Sequence, residues 1–423
     1  MADAARKTAI RAPSRSGLAL YVHIPFCESK CPYCDFNTYA GIEALMPSYV
    51  GALANEIAGW GKALERPPLR SVFFGGGTPS YLPTRDLTRL MRAVRAAFDL
   101  PRSAEVTLEA NPGDTVRERL ASIRRAGFNR VSIGVQSLDD EELRLLGRRH
   151  SAEQAKAGVM AAREAGFDNL NIDLIFGLPG QLVASWEHTL EEALALAPDH
   201  VSAYALTLEE GTPMAADVAA GRLREPDPDV GAEMYRLAQE VLADAGYVQY
   251  EVSNWAKPGR ASVHNLAYWQ GKPYLGVGPG AHSYLWANGL PPLQEMGDAG
   301  ARFATLRSPR AYVEAAAGWS PDGGGAAGAV AASPLVSERE ALNCAAAMGD
   351  YLMMALRLNE GVADADFAAR FGEPIETRFG GALAECAALG LLAREDGRTL
   401  LTERGRLLGN EVFERVVAVA KER

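Results

Sequence analysis

A chain of 423 residues is too long for one ordinary domain, and a hydrophobic content of 48% is enough for substantial cores. Its net charge of −10 argues against general binding to nucleic acid or anionic membrane. Five cysteines, three of them clustered, suit a reducing cytosol better than a disulfide framework. No apolar run reaches the ~18 residues of a membrane-spanning helix, so no transmembrane segment is expected.

Residues 1–17 carry Arg6, Lys7, Arg11 and Arg15 without an apolar stretch, which reads as a flexible tail rather than a secretory signal. Beyond the tail, short apolar strands alternate with amphipathic helices. Strands are expected at Leu18–Ile24, Arg70–Phe74, Ala104–Glu109, Arg130–Gln136, Asn169–Phe176 and His200–Leu206. Helices are expected near 46–64, 84–98, 115–126, 151–165, 183–197 and 229–245. Six βα units in a row imply an α/β fold with a parallel sheet and right-handed crossovers. Ligands of such sheets sit at the carboxyl ends of the strands, so the functional loops should gather on one rim.

The first strand stops at Pro25 and runs into Cys27-x3-Cys31-x2-Cys34. Thiolates this close in a loop usually hold a soft metal or an iron–sulfur centre. Zinc takes four ligands, and no Cys or His pair at matching spacing completes such a set here. Three thiolates serve a [4Fe–4S] cube if one iron is left open for another ligand. A disulfide or a zinc knuckle is the alternative.

The later strands end in polar or glycine-rich clusters. Phe74-Gly75-Gly76-Gly77-Thr78 lets the backbone approach a zwitterionic ligand closely, or forms a plain tight turn. Glu109 ends an otherwise apolar strand, where it can bind an amine or a hydroxyl, or make a rim salt bridge. Gln136 ends the fourth strand, and Arg148 follows as a candidate fork for a carboxylate or a solvated helix end. Asp173 interrupts an apolar run, a costly place for an unpaired carboxylate.

Together these stretches resemble the radical S-adenosylmethionine superfamily. The branch is the one containing oxygen-independent coproporphyrinogen III dehydrogenase and the HemW-type haem chaperones. The resemblance rests on Tyr21-Val-His-Ile-Pro-Phe-Cys27, Gly75–Ser80, Gly134-Val-Gln136 and Ile172-Asp173-Leu-Ile-Phe-Gly-Leu-Pro179. It implies a partial (β/α)6 barrel, with Cys27, Cys31 and Cys34 on a [4Fe–4S] cluster and S-adenosylmethionine on its open iron. It also implies that Tyr21, Gly76, Gly77, Thr78, Glu109, Gln136, Arg148 and Asp173 line the S-adenosylmethionine pocket, with Tyr33 near the adenine. The dehydrogenases have a further cysteine two residues after the third; here that residue is Phe36, as in the HemW type. The resemblance thus favours a cytoplasmic chaperone over the dehydrogenase. Its cargo is haem, and its partner is an acceptor haemoprotein, with a membrane-bound enzyme as candidate acceptor and a homodimer as candidate assembly.

The stretch 246–255 reads as one more strand within a barrel extension spanning 246–317. His264-Asn265-Leu-Ala-Tyr268-Trp269 then matches the haem-associated stretch of HemW-like proteins, so His264, Asn265, Tyr268 and Trp269 are expected at the haem. His282, after a glycine-rich loop, is a second and weaker candidate for the iron. Residues 318–335 are low in complexity and read as a linker. Ser337 and Glu340 have the spacing of a capping box that would start a helix through about Leu356. Helices near 364–371 and 374–389, a hairpin at Asp396-Gly397 and a last helix from Glu403 suggest a winged-helix-like α+β domain over 336–423. That domain has eleven basic and fifteen acidic residues, a net of −4, which makes it a poor phosphate binder. Packing on the barrel or contact with a protein suits it better. Cys344 and Cys386 read as buried thiols.

Overall fold

Six runs of apolar and β-branched residues become parallel strands in the computed structural model, which describes residues 17–286, 298–321 and 325–421. They are β1 (Leu18–Ile24), β2 (Leu69–Gly76), β3 (Glu105–Ala110), β4 (Arg130–Gln136), β5 (Leu170–Phe176) and β6 (His200–Ala205). The expected tail lies outside the described residues except for Gly17. Helices Met46–Ala63, Thr84–Ala97, Arg117–Ala126, Ala152–Glu164 and Val183–Ala195 cross between successive strands. Leu20, Val22 and Ile24 of β1, with Val72 and Phe74 of β2, face these helices and are fully buried. The alternate side chains of all six strands face a shared interior, which Tyr21, Phe73, Glu109, Ser132, Asp173 and Ser202 line together.

The sheet grows at both ends. β7 (Val248–Glu251) and β8 (Asn254–Ala256) are antiparallel and join it at β6. The single strand expected over 246–255 is therefore a hairpin. β9 (Tyr274–Val277) pairs parallel with β1. Antiparallel β10 (His282–Trp286), β11 (Gly300–Thr305) and β12 (Val336–Leu342) continue that edge. Among the described residues the order is β12-β11-β10-β9-β1-β2-β3-β4-β5-β6-β8-β7, and its two ends do not pair. The sheet is an open, partial barrel.

Two expectations fail on the β12 side. Ser337 and Glu340 do not start a helix. They lie in β12, where Glu340 receives a hydrogen bond at 2.8 Å from Arg302 Nη2 across the sheet. The helix starts at Cys344, where Asn343 caps it by accepting the Ala346 N–H at 2.9 Å. A capping spacing is a local signal, and pairing with β11 outweighs it. The charges at 338–340 also suit an exposed edge strand. Within the expected linker, Gly325–Ala332 is a helix with Ala326, Ala329 and Val330 buried. Alanine's helix preference suffices for so short a segment once one face is packed. Residues 322–324 of the linker and 287–297 of the barrel extension lie outside the described residues.

The C-terminal region packs Asp364–Phe371, Ile375–Ala388 and Gly409–Lys421 around Phe367, Phe379 and Val412. A small sheet of β13 (Val362–Ala363), β14 (Leu392–Glu395) and β15 (Arg398–Leu401) completes the α+β module. Its core runs on into Tyr284 and Trp286 of β10. Arg370 reaches back to cap the helix Val263–Trp269, donating to the carbonyls of Gln270 at 3.2 Å and Gly271 at 2.8 Å. Cys386 is buried as expected, whereas Cys344 is half-exposed.

Candidate functional site

The cysteine loop is closed at its neck. Phe26 bridges Tyr39, and the Cys27 N–H donates to the Tyr39 carbonyl at 3.0 Å. Lys30 Nζ spans the loop to the carbonyls of Phe36 at 3.2 Å and Thr38 at 3.3 Å. Each sulfur has a polar neighbour from a different part of the chain. Thr78 Oγ1 donates to Cys27 at 3.7 Å and Arg148 Nη1 to Cys31 at 3.4 Å, while Thr38 Oγ1 lies 3.8 Å from Cys34. Burial pushes the Cys27 thiol up, a cost that a bound cation removes. Among the described residues no three His, Cys, Asp or Glu side chains converge as ligands of one ion would. Thiolates on three different irons of a cube need no such convergence.

Gly77 shows how tightly β2 lies against this loop. A Cβ there would stand 2.6 Å from the Phe26 carbonyl and 3.0 Å from Cys27 Sγ. Gly76 has φ +111°, and a Cβ on it would enter the His23 ring. The donor set fits an iron–sulfur cluster, and the two glycines let β2 lie directly against the cysteine loop and His23.

A cleft of about 430 Å³ opens beside the three cysteines. Tyr33, Gly76, Gly77, Thr78, Glu109, Gln136, Arg148 and Asp173 all line it. Tyr21 does not; it lines the two neighbouring cavities, and its hydroxyl meets His23 Nδ1 at 3.0 Å. The carbonyl of Asn37, 2.9 Å from His23 Nε2, can only accept, so that nitrogen carries the proton and Tyr21 donates to the other.

Arg148 anchors the rim. It donates to Asn111 Oδ1, to the Gly134 carbonyl at 3.0 Å and to Cys31. Its Nε is buried with no hydrogen-bond partner among the described residues, which suits a ligand acceptor. Asn111 Nδ2 donates onward to Thr78 Oγ1 at 3.0 Å, linking Arg148 to Cys27 through two side chains. Asn111 was not singled out from the sequence. Its signal was its place two residues past Glu109, at the same strand end.

Gln136 sits at φ 70°, where the register of β4 against β5 slips by one residue. That bulge re-aims its side chain at the rim. Burial, then the charge of Asp173, push the Glu109 carboxyl up to about 8, although the Gly76 N–H donates to it at 3.1 Å. Burial also raises Asp173, against hydrogen bonds from Ser132 at 2.9 Å and Asn171 at 2.8 Å. Glu109, with a single backbone donor, suits a hydroxyl or a cationic ligand.

The other end of the barrel is sealed. Glu105 accepts the N–H groups of Val263 at 3.1 Å and His264 at 3.0 Å, together with the Ser262 hydroxyl at 3.3 Å. The short helix Val263–Trp269 is thereby fixed as a floor. His264 is 1% exposed. Its Nδ1 lies 3.0 Å from Ser71 Oγ and its Nε2 3.0 Å from Tyr268 Oη. Burial and the Arg130 charge hold it neutral, with a pKa down at about 3. As placed, His264 has no free nitrogen for an iron. Trp269 lies 5.4 Å from Arg357 of the C-terminal region. Of these four residues Tyr268 alone lines the 530 Å³ cavity that opens beyond the cysteine loop. His264, Asn265 and Tyr268 together line the smaller interior cavity of about 200 Å³, with Tyr21 and Glu109, and Trp269 stands apart from it.

The Radical SAM superfamily model matches residues 21–193, and the HemN C-terminal domain model matches 345–408. A protein of Bacillus subtilis named heme chaperone HemW is 34% identical over 93% of this chain and 97% of its own. Its namesake in Mycobacterium tuberculosis is 38% identical over 93% of each chain. The mouse radical S-adenosyl methionine domain-containing protein 1, mitochondrial, is 47% identical over 62% of this chain and 60% of its own length. Among solved structures, Escherichia coli coproporphyrinogen III oxidase (HemN), a radical SAM enzyme, is similar with a TM-score of 0.76 and 25% identity. That likeness covers 95% of this chain and 91% of the oxidase. The two domain matches and the full-length relatives at 34–38% identity show that the chain belongs to the HemW family of the radical SAM superfamily.

Proposed function

We propose that the chain is a cytoplasmic haem chaperone. Cys27, Cys31 and Cys34 hold a [4Fe–4S] cluster, S-adenosylmethionine occupies the adjoining cleft, and haem is bound and passed to an acceptor haemoprotein. The observation that carries this reading is that the three cysteines and four polar strand ends open on one cleft. The cleft lies in a chain related over 93% of its length to proteins named heme chaperone HemW. When bound, the cluster supplies an open iron for the amino and carboxylate groups of S-adenosylmethionine. The chain's own residues do the rest. Arg148 holds Asn111 and Cys31 in place and keeps Nε for an acceptor. Gln136 and Asp173 offer an amide and a carboxyl to ribose hydroxyls, and Glu109 faces the positive end of the ligand. Among the described residues no helix is long and apolar enough to cross a membrane. A membrane-bound acceptor would therefore be met by docking, and a homodimer is a candidate form of the chaperone.

A second reading, coproporphyrinogen III dehydrogenase, is favoured by the likeness to the Escherichia coli oxidase. Phe36, 66% exposed, stands where that reading expects a cysteine. The test is one anaerobic preparation given haem and an apo-haemoprotein acceptor in one assay and coproporphyrinogen III in another, each with and without S-adenosylmethionine. Haem uptake and transfer without decarboxylated porphyrin support the chaperone. Conversion to protoporphyrinogen without haem transfer overturns it.

A further inference from the structure

A haem iron held by imidazole needs a ring nitrogen that is both uncommitted and reachable. The chain has six histidines. His23, His150, His200 and His264 are buried and hydrogen-bonded. The two exposed ones are His188, on the crossover helix Val183–Ala195, and His282, the first residue of β10. The His282 ring makes no hydrogen bond among the described residues, and it lines the cavity of about 530 Å³ beyond the cysteine loop.

The rest of that cavity offers a flat porphyrin an aromatic wall and one cation beside the carboxyls of Asp35, Glu109 and Glu338. Tyr268 and Tyr274 form an aromatic wall, their rings edge to face at 4.6 Å. Phe36 stands at the mouth with 66% of its surface exposed, a large apolar ring that nothing covers among the described residues. A Cβ on Gly280 would meet Asn37 Nδ2 at 2.7 Å, so the loop before His282 is pressed against the loop that carries Phe36. The two rings thereby share one opening. Arg307 is the cavity's one Lys or Arg, and its exposed guanidinium makes no ion pair among the described residues. Asp35 and Glu338 lie at the same mouth and repel carboxylates. A porphyrin's propionates therefore have one favourable direction. The cavity shares Gly76 and Glu109 with the cofactor cleft, which puts its occupant beside the cluster loop.

We propose that haem docks here, with His282 on the iron, Arg307 on a propionate and Phe36 against the macrocycle. The assignment rests on the haem-chaperone reading. It is tested by titrating haem into the full reconstituted chain, as wild type and as His282→Ala, Arg307→Ala and His188→Ala, following the Soret band and the cluster absorbance together. His282→Ala should shift the Soret band and weaken binding by about tenfold or more, and added imidazole should restore the wild-type spectrum. Arg307→Ala should weaken binding by about tenfold without shifting the band. His188→Ala should match wild type, and the cluster absorbance should persist in all. An unchanged Soret band and affinity in His282→Ala, with wild type binding haem, overturns the docking site and leaves the chaperone reading standing. Wild type that binds no haem overturns both.

Discussion

The two ends of one barrel treat polar residues in opposite ways. At the floor, Glu105 collects three donors, and His264 has both ring nitrogens engaged. At the rim, Arg148 keeps an unpartnered Nε, Gln136 holds a left-handed backbone, and burial with Asp173's charge pushes Glu109 up to about 8. Both ends draw on inward-facing side chains of the same strands. What separates Glu105 and His264 from the rim is satisfaction, although Arg130 Nε and Trp269 Nε1 near the floor also lack hydrogen-bond partners among the described residues. A closed hydrogen-bond set stabilises the fold, and an open one can take a ligand.

The largest effect expected is on the rim. Replacing Cys27, Cys31 and Cys34 by serine should abolish iron uptake while leaving the circular dichroism spectrum of the fold intact. Gly77→Ala should act through the same loop, since its Cβ would collide with the Phe26 carbonyl and Cys27. Retained iron in the triple variant would break the contrast at once.

Glu56 gives a large effect outside both ends. It accepts from the Gly278 N–H at 2.7 Å, Tyr312 Oη at 2.5 Å and Trp60 Nε1 at 3.4 Å, yet burial lifts its pKa from 4.5 to about 7. A carboxyl whose folded pKa is raised stabilises below its unfolded pKa, and that contribution is lost as pH rises through the folded value. Denaturant unfolding should therefore show stability falling between about pH 4.5 and 7, by about 3 kcal/mol, and Glu56→Gln should flatten this slope. An unchanged slope in Glu56→Gln would place the titration elsewhere.

At the floor, His264→Ala should destabilise by about 2–3 kcal/mol through the unpaired Ser71 and Tyr268 hydroxyls and the lost ring volume. Iron content per folded chain should not change. A loss of haem affinity at unaltered thermal stability would instead make the floor a binding site. The smallest effect is Arg148→Lys, which keeps the charge and loses the fork. It should weaken S-adenosylmethionine binding by about tenfold in calorimetry, with the cluster retained.

β1 to β6 were legible because each carries a buried apolar face toward the helices, bounded by turn residues at its end. β4 runs from Arg130 to Gln136 as expected, and the helix Asp364–Phe371 also matches. The outer strands were not legible as a sheet edge. β9 pairs with β1 across about 250 residues of chain, and β12 carries charges along an exposed edge. Such long-range pairing leaves little local signal. Most of the expected cleft residues line one opening, since Gly76, Glu109 and Gln136 end their strands on the same rim, where Tyr33 of the cysteine loop, Arg148 and Asp173, midway along β5, also reach it. The His264 stretch is harder to read from sequence. A histidine among aromatics has the same sequence pattern whether it faces a ligand or closes a core, and only its hydrogen-bond partners distinguish the two.

Iron and acid-labile sulfide, counted after anaerobic reconstitution with zinc present as a competitor, probe the rim most directly. The cysteine loop should take up about four of each per chain, and adding S-adenosylmethionine should perturb the reduced cluster's electron paramagnetic resonance signal. One zinc per chain with no sulfide, or a signal indifferent to S-adenosylmethionine, would contradict it.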